Sequence, residues 1–130
     1  MTKTSNNKKS RVLLVDDEPD IVYLVKVGLE RNGFEVDGYT DPVLALQNFK
    51  SGLYQLLVLD IRMPKMDGME LFNKMKKEDD KVRVCFFTAL EHFTSIYKNL
   101  LQDSQDKFLI VPKPISIPKM TKQIEQFLSR

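Results

Sequence analysis

Cysteine is nearly absent: Cys85 stands alone in 130 residues, so no internal disulfide can form and no thiolate cluster is available for zinc. That usage agrees with a reducing compartment, and a cytoplasmic location is expected. Histidine is as scarce, and one imidazole, His92, makes no metal cluster; it reads as an exposed helix residue. Long apolar runs are missing too. The longest, 56–59 and 108–111, fall far short of the roughly 20 residues that cross a bilayer, so no membrane insertion is expected. The apolar stretch behind the N-terminal lysines is cut at Asp16, so no secretory signal is expected. A basic face for nucleic acid is lacking as well. The net charge is +2, but Lys3, Lys8 and Lys9 lie in the first ten residues with no acid among them, leaving −1 for the rest. There the cations are interspersed with acids, and no direct nucleic-acid binding is expected.

What is present is ordinary globular composition, 42% hydrophobic and 29% charged, enough for one domain with one buried core. Residues 1–10 read as a flexible basic tail and 11–130 as the folded unit. In that unit apolar strands alternate with helical patterns. The run 11–16 is the first strand, nearly continuous in apolar residues as when both faces are covered. Pro19 opens a helix in which Ile21, Leu24, Val25 and Leu29 keep helical spacing until Asn32 and Gly33. A second strand spans 34–39. Asp41 and Pro42 then start a helix that is predicted to end near Gly52. The third strand is 56–60, followed by a loop over 61–68 and a helix burying Leu71, Phe72 and Met75. The fourth strand is 82–87; Phe93, Ile96, Tyr97, Leu100 and Leu101 form an amphipathic stripe after it. The fifth strand is 107–111, and Pro118 opens a last helix with Met120, Ile124, Phe127 and Leu128 inward. Five βα repeats with short connections imply an α/β sandwich around a parallel sheet.

In an open parallel sheet ligands bind at the carboxyl ends of the strands. Strand one ends in Asp16, Asp17 and Glu18, strand three in Asp60, strand four in Thr88, and strand five runs into Lys113. Two carboxylates about 4 Å apart repel by roughly 4 kcal/mol at an effective dielectric of 20, so such a cluster asks for a cation. An all-oxygen site with water access suits Mg2+. Taken singly each residue has a plainer use: Asp16 to Glu18 as helix caps, Thr88 as a β-branched strand end, Lys113 as an exposed cation. Asp60 is different, because it ends a run of four apolar residues, where a charge needs a partner.

These residues resemble a known family. Asp16-Asp17 after strand one, Asp60-Ile61-Arg62-Met63-Pro64-Lys65-Met66-Asp67-Gly68 after strand three, Thr88-Ala89 after strand four and Lys113-Pro114 after strand five are similar to the response-regulator receiver domain of two-component signalling. The likeness covers residues 11–129. It implies a flavodoxin-like (βα)5 fold with a five-stranded parallel sheet of order 2-1-3-4-5. It also implies that Asp60 is the phosphoacceptor, that Mg2+ is held by Asp16, Asp17, Asp60 and the backbone carbonyl of Arg62, and that Thr88 and Lys113 contact the phosphoryl oxygens. The implied donor is a sensor histidine kinase or a phosphotransfer protein, and the implied output is contact with a downstream protein. No turnover enzyme is expected, only phosphoryl acceptance and autodephosphorylation, and the chain is expected to act as a stand-alone receiver.

The chain departs from that family at Ile110, where an aromatic ring usually moves inward as the threonine is recruited. Phe108 lies on the same side, but two residues advance a strand by about 6.6 Å, so it is a poor substitute. Pro112 removes a ladder donor beside Lys113, which an edge strand tolerates. The segment 102–107 lacks the usual small-residue turn. A second reading is a Mg2+-dependent phosphatase of the haloacid-dehalogenase type, which also uses a strand-end Asp nucleophile; it needs another Asp two residues on, where Arg62 stands. Nucleotide or flavin binding lacks both glycine-rich phosphate loops after strand one.

Overall fold

The structure, a computed structural model, describes residues 10–93 and 108–130. The expected stripe residues Ile96, Tyr97, Leu100 and Leu101, the segment 102–107 and residues 1–9 of the expected tail lie outside the described residues.

Two uninterrupted apolar runs, 12–15 and 56–59, lie at the centre of the sheet in β1 (Arg11–Val15) and β3 (Leu56–Leu59). Side chains alternate across a strand, so Leu13, Val15, Leu57 and Leu59 enter one core while Val12, Leu14, Leu56 and Val58 enter the other. A strand covered on both faces has no solvent side to make polar. β2 (Glu35–Tyr39) lies outside β1, β4 (Arg83–Ala89) beside β3, and β5 (Phe108–Lys113) at the far edge. The order is β2-β1-β3-β4-β5 with every neighbouring pair parallel, the flavodoxin-like arrangement expected.

Helices cover both faces. α1 (Pro19–Arg31) and the last helix supply Val25, Leu29, Met120, Ile124 and Phe127 to one core. α2 (Pro42–Asn48) and α3 (Gly68–Glu78) supply Ala45, Leu71, Phe72 and Met75 to the other. α4 (Leu90–Phe93) follows β4, and α5 (Ile117–Leu128) is the last helix. Asp41, Asp67 and Ser116 cap α2, α3 and α5 by accepting from the backbone N–H of Val43, Glu70 and Lys119. Cys85 is buried in the core under α1 and α5, where burial pushes its thiol far above the reactive range.

Two expectations need correction, and one residue at helical spacing lies off the buried stripe. Leu24 is 53% exposed: it is turned about 100° from Val25 around the helix, onto the flank rather than the buried stripe. α2 stops at Asn48, not near Gly52, because Phe49 leaves the helix in extended backbone and its buried ring stacks on Tyr54 at 5.9 Å. β4 and β5 each run two residues further than expected, pairing Thr88 with Pro112 and Ala89 with Lys113. β5 has only one neighbour, so the missing Pro112 donor is tolerated there.

At the opposite, amino end of the sheet a polar cluster ties three segments together. Arg11 donates to both oxygens of Asp37, at 3.2 and 2.9 Å from one terminal nitrogen, and the Tyr54 hydroxyl donates to Asp37 Oδ2 at 2.6 Å. Burial pushes the Asp37 carboxyl up, but the bonds from Tyr54 and Arg11 and the Arg11 charge outweigh it, leaving the group below the usual carboxylate range. Asp37→Ala should therefore lower stability by about 1–3 kcal/mol, the range for losing charge-assisted hydrogen bonds and stranding their donors. Urea unfolding checks this, with Tyr54→Phe expected to lose less; equal stability in Asp37→Ala and the parent would refute it.

Candidate active site at the carboxyl edge of the sheet

The strand ends bring the acidic residues together. Asp16 and Asp60 each follow the last residue of a central strand, and their N–H groups prolong the ladder to Tyr39 and Val15 at 3.1 and 3.0 Å. Both side chains are buried at the mouth of the sheet, Asp16 at 1% and Asp60 at 6% exposure, while Asp17 is half-buried. One carboxylate oxygen from each of the three lies within 4.8 Å of the others, a spacing that a single hard cation could bridge.

Lys113, from the end of β5, reaches into this cluster. Its ammonium donates to Asp16 Oδ2 at 2.8 Å and to Glu18 Oε2 and Asp60 Oδ2 at 3.4 Å each. It also lies 5.4 Å from the centre of the Phe87 ring. Burial alone would lower the Lys113 pKa, but its bond to Asp16 and the charges of Asp16 and Asp60 raise it above the ordinary value. The Lys113–Pro114 peptide bond is cis.

Asp16 bears the electrostatic cost. Burial pushes its carboxyl up from 3.8 to about 6, against the opposing bonds from Lys113 and the Glu18 N–H and with added repulsion from Asp60. A folded-state pKa above the unfolded one means that the folded protein takes up a proton first as the pH falls. Stability of the metal-free protein should thus rise, by on the order of 1 kcal/mol, between pH 8 and pH 5. Urea titrations in a chelator test this, and Asp16→Asn should lack the gain. Stability that is flat or falling over that interval in the parent would refute it.

Thr88 completes the edge. It is fully buried at the end of β4, and its hydroxyl has no hydrogen-bond partner among the described residues. Thr121, in the middle of α5, is the other such hydroxyl. An unsatisfied buried hydroxyl costs about 1–3 kcal/mol, and at a strand end beside an acid cluster a ligand oxygen would satisfy it. Arg62 is exposed in the loop between β3 and α3, two residues after Asp60. His92 is half-buried on α4 and does not join the acidic group.

Some contacts had little or no sequence signal. Glu18 is the N-cap residue of α1 but makes no side-chain cap; its carboxylate turns instead to Lys113. In the β3–α3 loop Lys65 takes a left-handed φ of 73° and pairs with Asp41 at 2.9 Å, joining that loop to the cap of α2. Gly68 lets the start of α3 rest on the Asp60 backbone: its N–H donates to the Ile61 carbonyl at 2.8 Å, and a Cβ there would overlap the Asp60 carbonyl oxygen. Ile110 is half-buried opposite Phe86, while Phe108 is already in the core with its ring edge-on to Phe86 at 6.4 Å.

Known proteins are similar to this chain in sequence and fold. The family described as the response regulator receiver domain matches residues 12–125. The transcriptional regulatory protein TctD of Salmonella typhimurium is 31% identical over 120 residues, covering 92% of this chain and 52% of its own. TrcR of Mycobacterium tuberculosis, also a transcriptional regulatory protein, is 32% identical over 120 residues, covering 92% and 46%. The chain thus spans about half the length of the curated relatives it matches. Among solved structures, the response regulator protein TrrA of Thermotoga maritima, in complex with Mg2+ and BeF, superposes with a TM-score of 0.76 at 30% identity, over 92% of this chain and 99% of that one. With a parallel sheet in the same strand order and an acidic cluster at its carboxyl edge, this chain belongs to the response regulator receiver domain family of two-component signalling.

Proposed function

We propose that this chain accepts a phosphoryl group on Asp60 from a histidine kinase or phosphotransfer protein and passes the signal on by protein contact, with residues 11–130 acting as the receiver unit and 1–10 as a basic tail. What carries this reading is the convergence of three carboxylate oxygens within 4.8 Å with the Lys113 ammonium already bridging two of them. The orphaned Thr88 hydroxyl supports it. No helix among the described residues is long and apolar enough to cross a membrane.

In this reaction an Asp60 oxygen attacks the phosphorus in line, forming the O–P bond as the P–N bond to the donor imidazole breaks. Lys113 turns from the carboxylates to a phosphoryl oxygen, and Thr88 donates to another. Asp16, Asp17, Asp60 and the Arg62 carbonyl would hold Mg2+, which when bound neutralises charge on the transferring group. Because the Thr88 bond exists only with the phosphoryl group in place, phosphorylation favours one arrangement of 88–92 over another. With the aliphatic Ile110 on β5, that change centres on Thr88 rather than on a swinging ring.

Incubation with acetyl phosphate and Mg2+ tests the proposal: intact mass should show one added phosphoryl group that hydroxylamine removes. No gain in mass, or a gain that resists hydroxylamine, would refute it. For the metal, Asp16→Ala should weaken Mg2+ binding about tenfold, as expected for a group acting through water, and Asp17→Ala more. Metal titrations followed by amide shifts that give the reverse order would overturn the assignment of Asp17 as the direct ligand.

A further inference from the structure

Two adjacent phenylalanines at the end of β4 face opposite ways. Phe86 meets Phe72 and Phe108 edge-on in the core beneath α2 and α3. Phe87 enters the core beneath α1 and α5, where it is 4% exposed. There its ring does more than fill space. Phe87 pairs with Val111 and Ala89 with Lys113, so Phe87 and Lys113 lie two positions apart along the same face of the β4–β5 pair. The Lys113 ammonium accordingly sits 5.4 Å from the ring centre, inside the roughly 6 Å reach of a cation–π contact.

The other groups holding that ammonium are the carboxylates of Asp16, Asp60 and Glu18. In the phosphoryl transfer proposed above, on which this inference rests, Asp60 forms a bond to phosphorus and Asp16 is engaged toward the metal. The ion pairs that orient Lys113 at rest are thus drawn away when its charge is needed. The ring is not consumed: it forms no bond to metal or phosphate, and burial fixes its plane. Leu or Ile would fill the same core position but offer no negative face. We propose that Phe87 is a positioning residue for phosphoryl acceptance, its ring face holding the Lys113 ammonium over the site both before and after Asp60 is phosphorylated.

The test replaces Phe87 with mono-, di- and trifluorophenylalanine, which weaken the negative face of the ring with little change in shape. The initial rate of acyl-phosphate formation from acetyl phosphate at saturating Mg2+ should fall stepwise, reaching about three- to tenfold with three fluorines. Mg2+ affinity should stay level, and the urea midpoint should fall slightly because the contact is already present in the resting fold; a purely packing role would leave the rate level. A second readout needs no phosphorylation: the Lys113 ε-methylene protons should be shifted upfield by the ring in the parent and return toward ordinary lysine values in Phe87→Leu. Ordinary values in the parent would overturn the contact itself. A level rate across the fluorine series, in a protein that does gain a phosphoryl group, would overturn this role alone. Failure of the parent to gain one would overturn the phosphoryl-acceptor reading and this role with it.

Discussion

Asp60→Asn should abolish acyl phosphorylation, with labelling by acetyl phosphate falling at least on the order of 10²-fold, because the amide keeps the shape of the carboxylate and lacks its nucleophilic oxygen. The fold should survive. Asp60 lies 6% exposed beside Asp16, which its charge repels, so removing that charge relieves a like-charge contact even as Lys113 loses one partner at 3.4 Å. Intact mass with acetyl phosphate and Mg2+, together with a urea midpoint near that of the parent, would be the expected pair of results. Labelling at the parent rate would move the acceptor to another residue and sink the site assignment.

Gly68→Ala should damage both fold and chemistry. A methyl group there would meet the Asp60 carbonyl oxygen and lie 3.0 Å from Ile61 Cα. These are backbone atoms, unable to swing aside like a side chain, so α3 or the 60–62 segment must shift. Overpacking of that kind costs about 1–3 kcal/mol, and displacing a reacting group by about 1 Å lowers a rate on the order of 10²-fold. Gly52→Ala is the control: Gly52 has a φ of 84° but open space around it, so it should lose about 1 kcal/mol from backbone strain with no change in phosphorylation rate. If Gly68→Ala labels as fast as Gly52→Ala, the close approach of α3 to Asp60 has no part in shaping the site.

Elements with a strong local signal are legible in the amino-acid order alone. The runs 12–15 and 56–59 have to be strands covered on both faces, because no residue in them is polar. Asp41, Pro42 and Pro19 mark helix starts through caps and fixed φ. Legibility fails where a side chain far along the chain decides the outcome. Leu24 fits helical spacing as well as Val25, and only the direction of the sheet and α5 selects which of them is covered. The end of α2 depends on Phe49 finding Tyr54, and the tie between Lys65 and Asp41 spans 24 residues.

The candidate site divides in the same way. The types and order of its residues, Asp16 and Asp17, then Asp60, Thr88 and Lys113, are properties of the chain alone, and the βα alternation sends every one of those strand ends to the same edge. Local spacing could not specify how closely they approach. Lys113 reaches Asp16 across 97 residues at 2.8 Å and rests on Phe87, and Gly68 seats α3 on the backbone of Asp60. Strand register, sheet twist and burial set those distances, and burial at the mouth of the sheet is also what raises the Asp16 carboxyl to about 6. Which groups can meet is settled locally, because period and strand order follow from local sterics and hydrophobic pattern. Their separations and their charge come from long-range packing, because those depend on what the rest of the chain excludes from water.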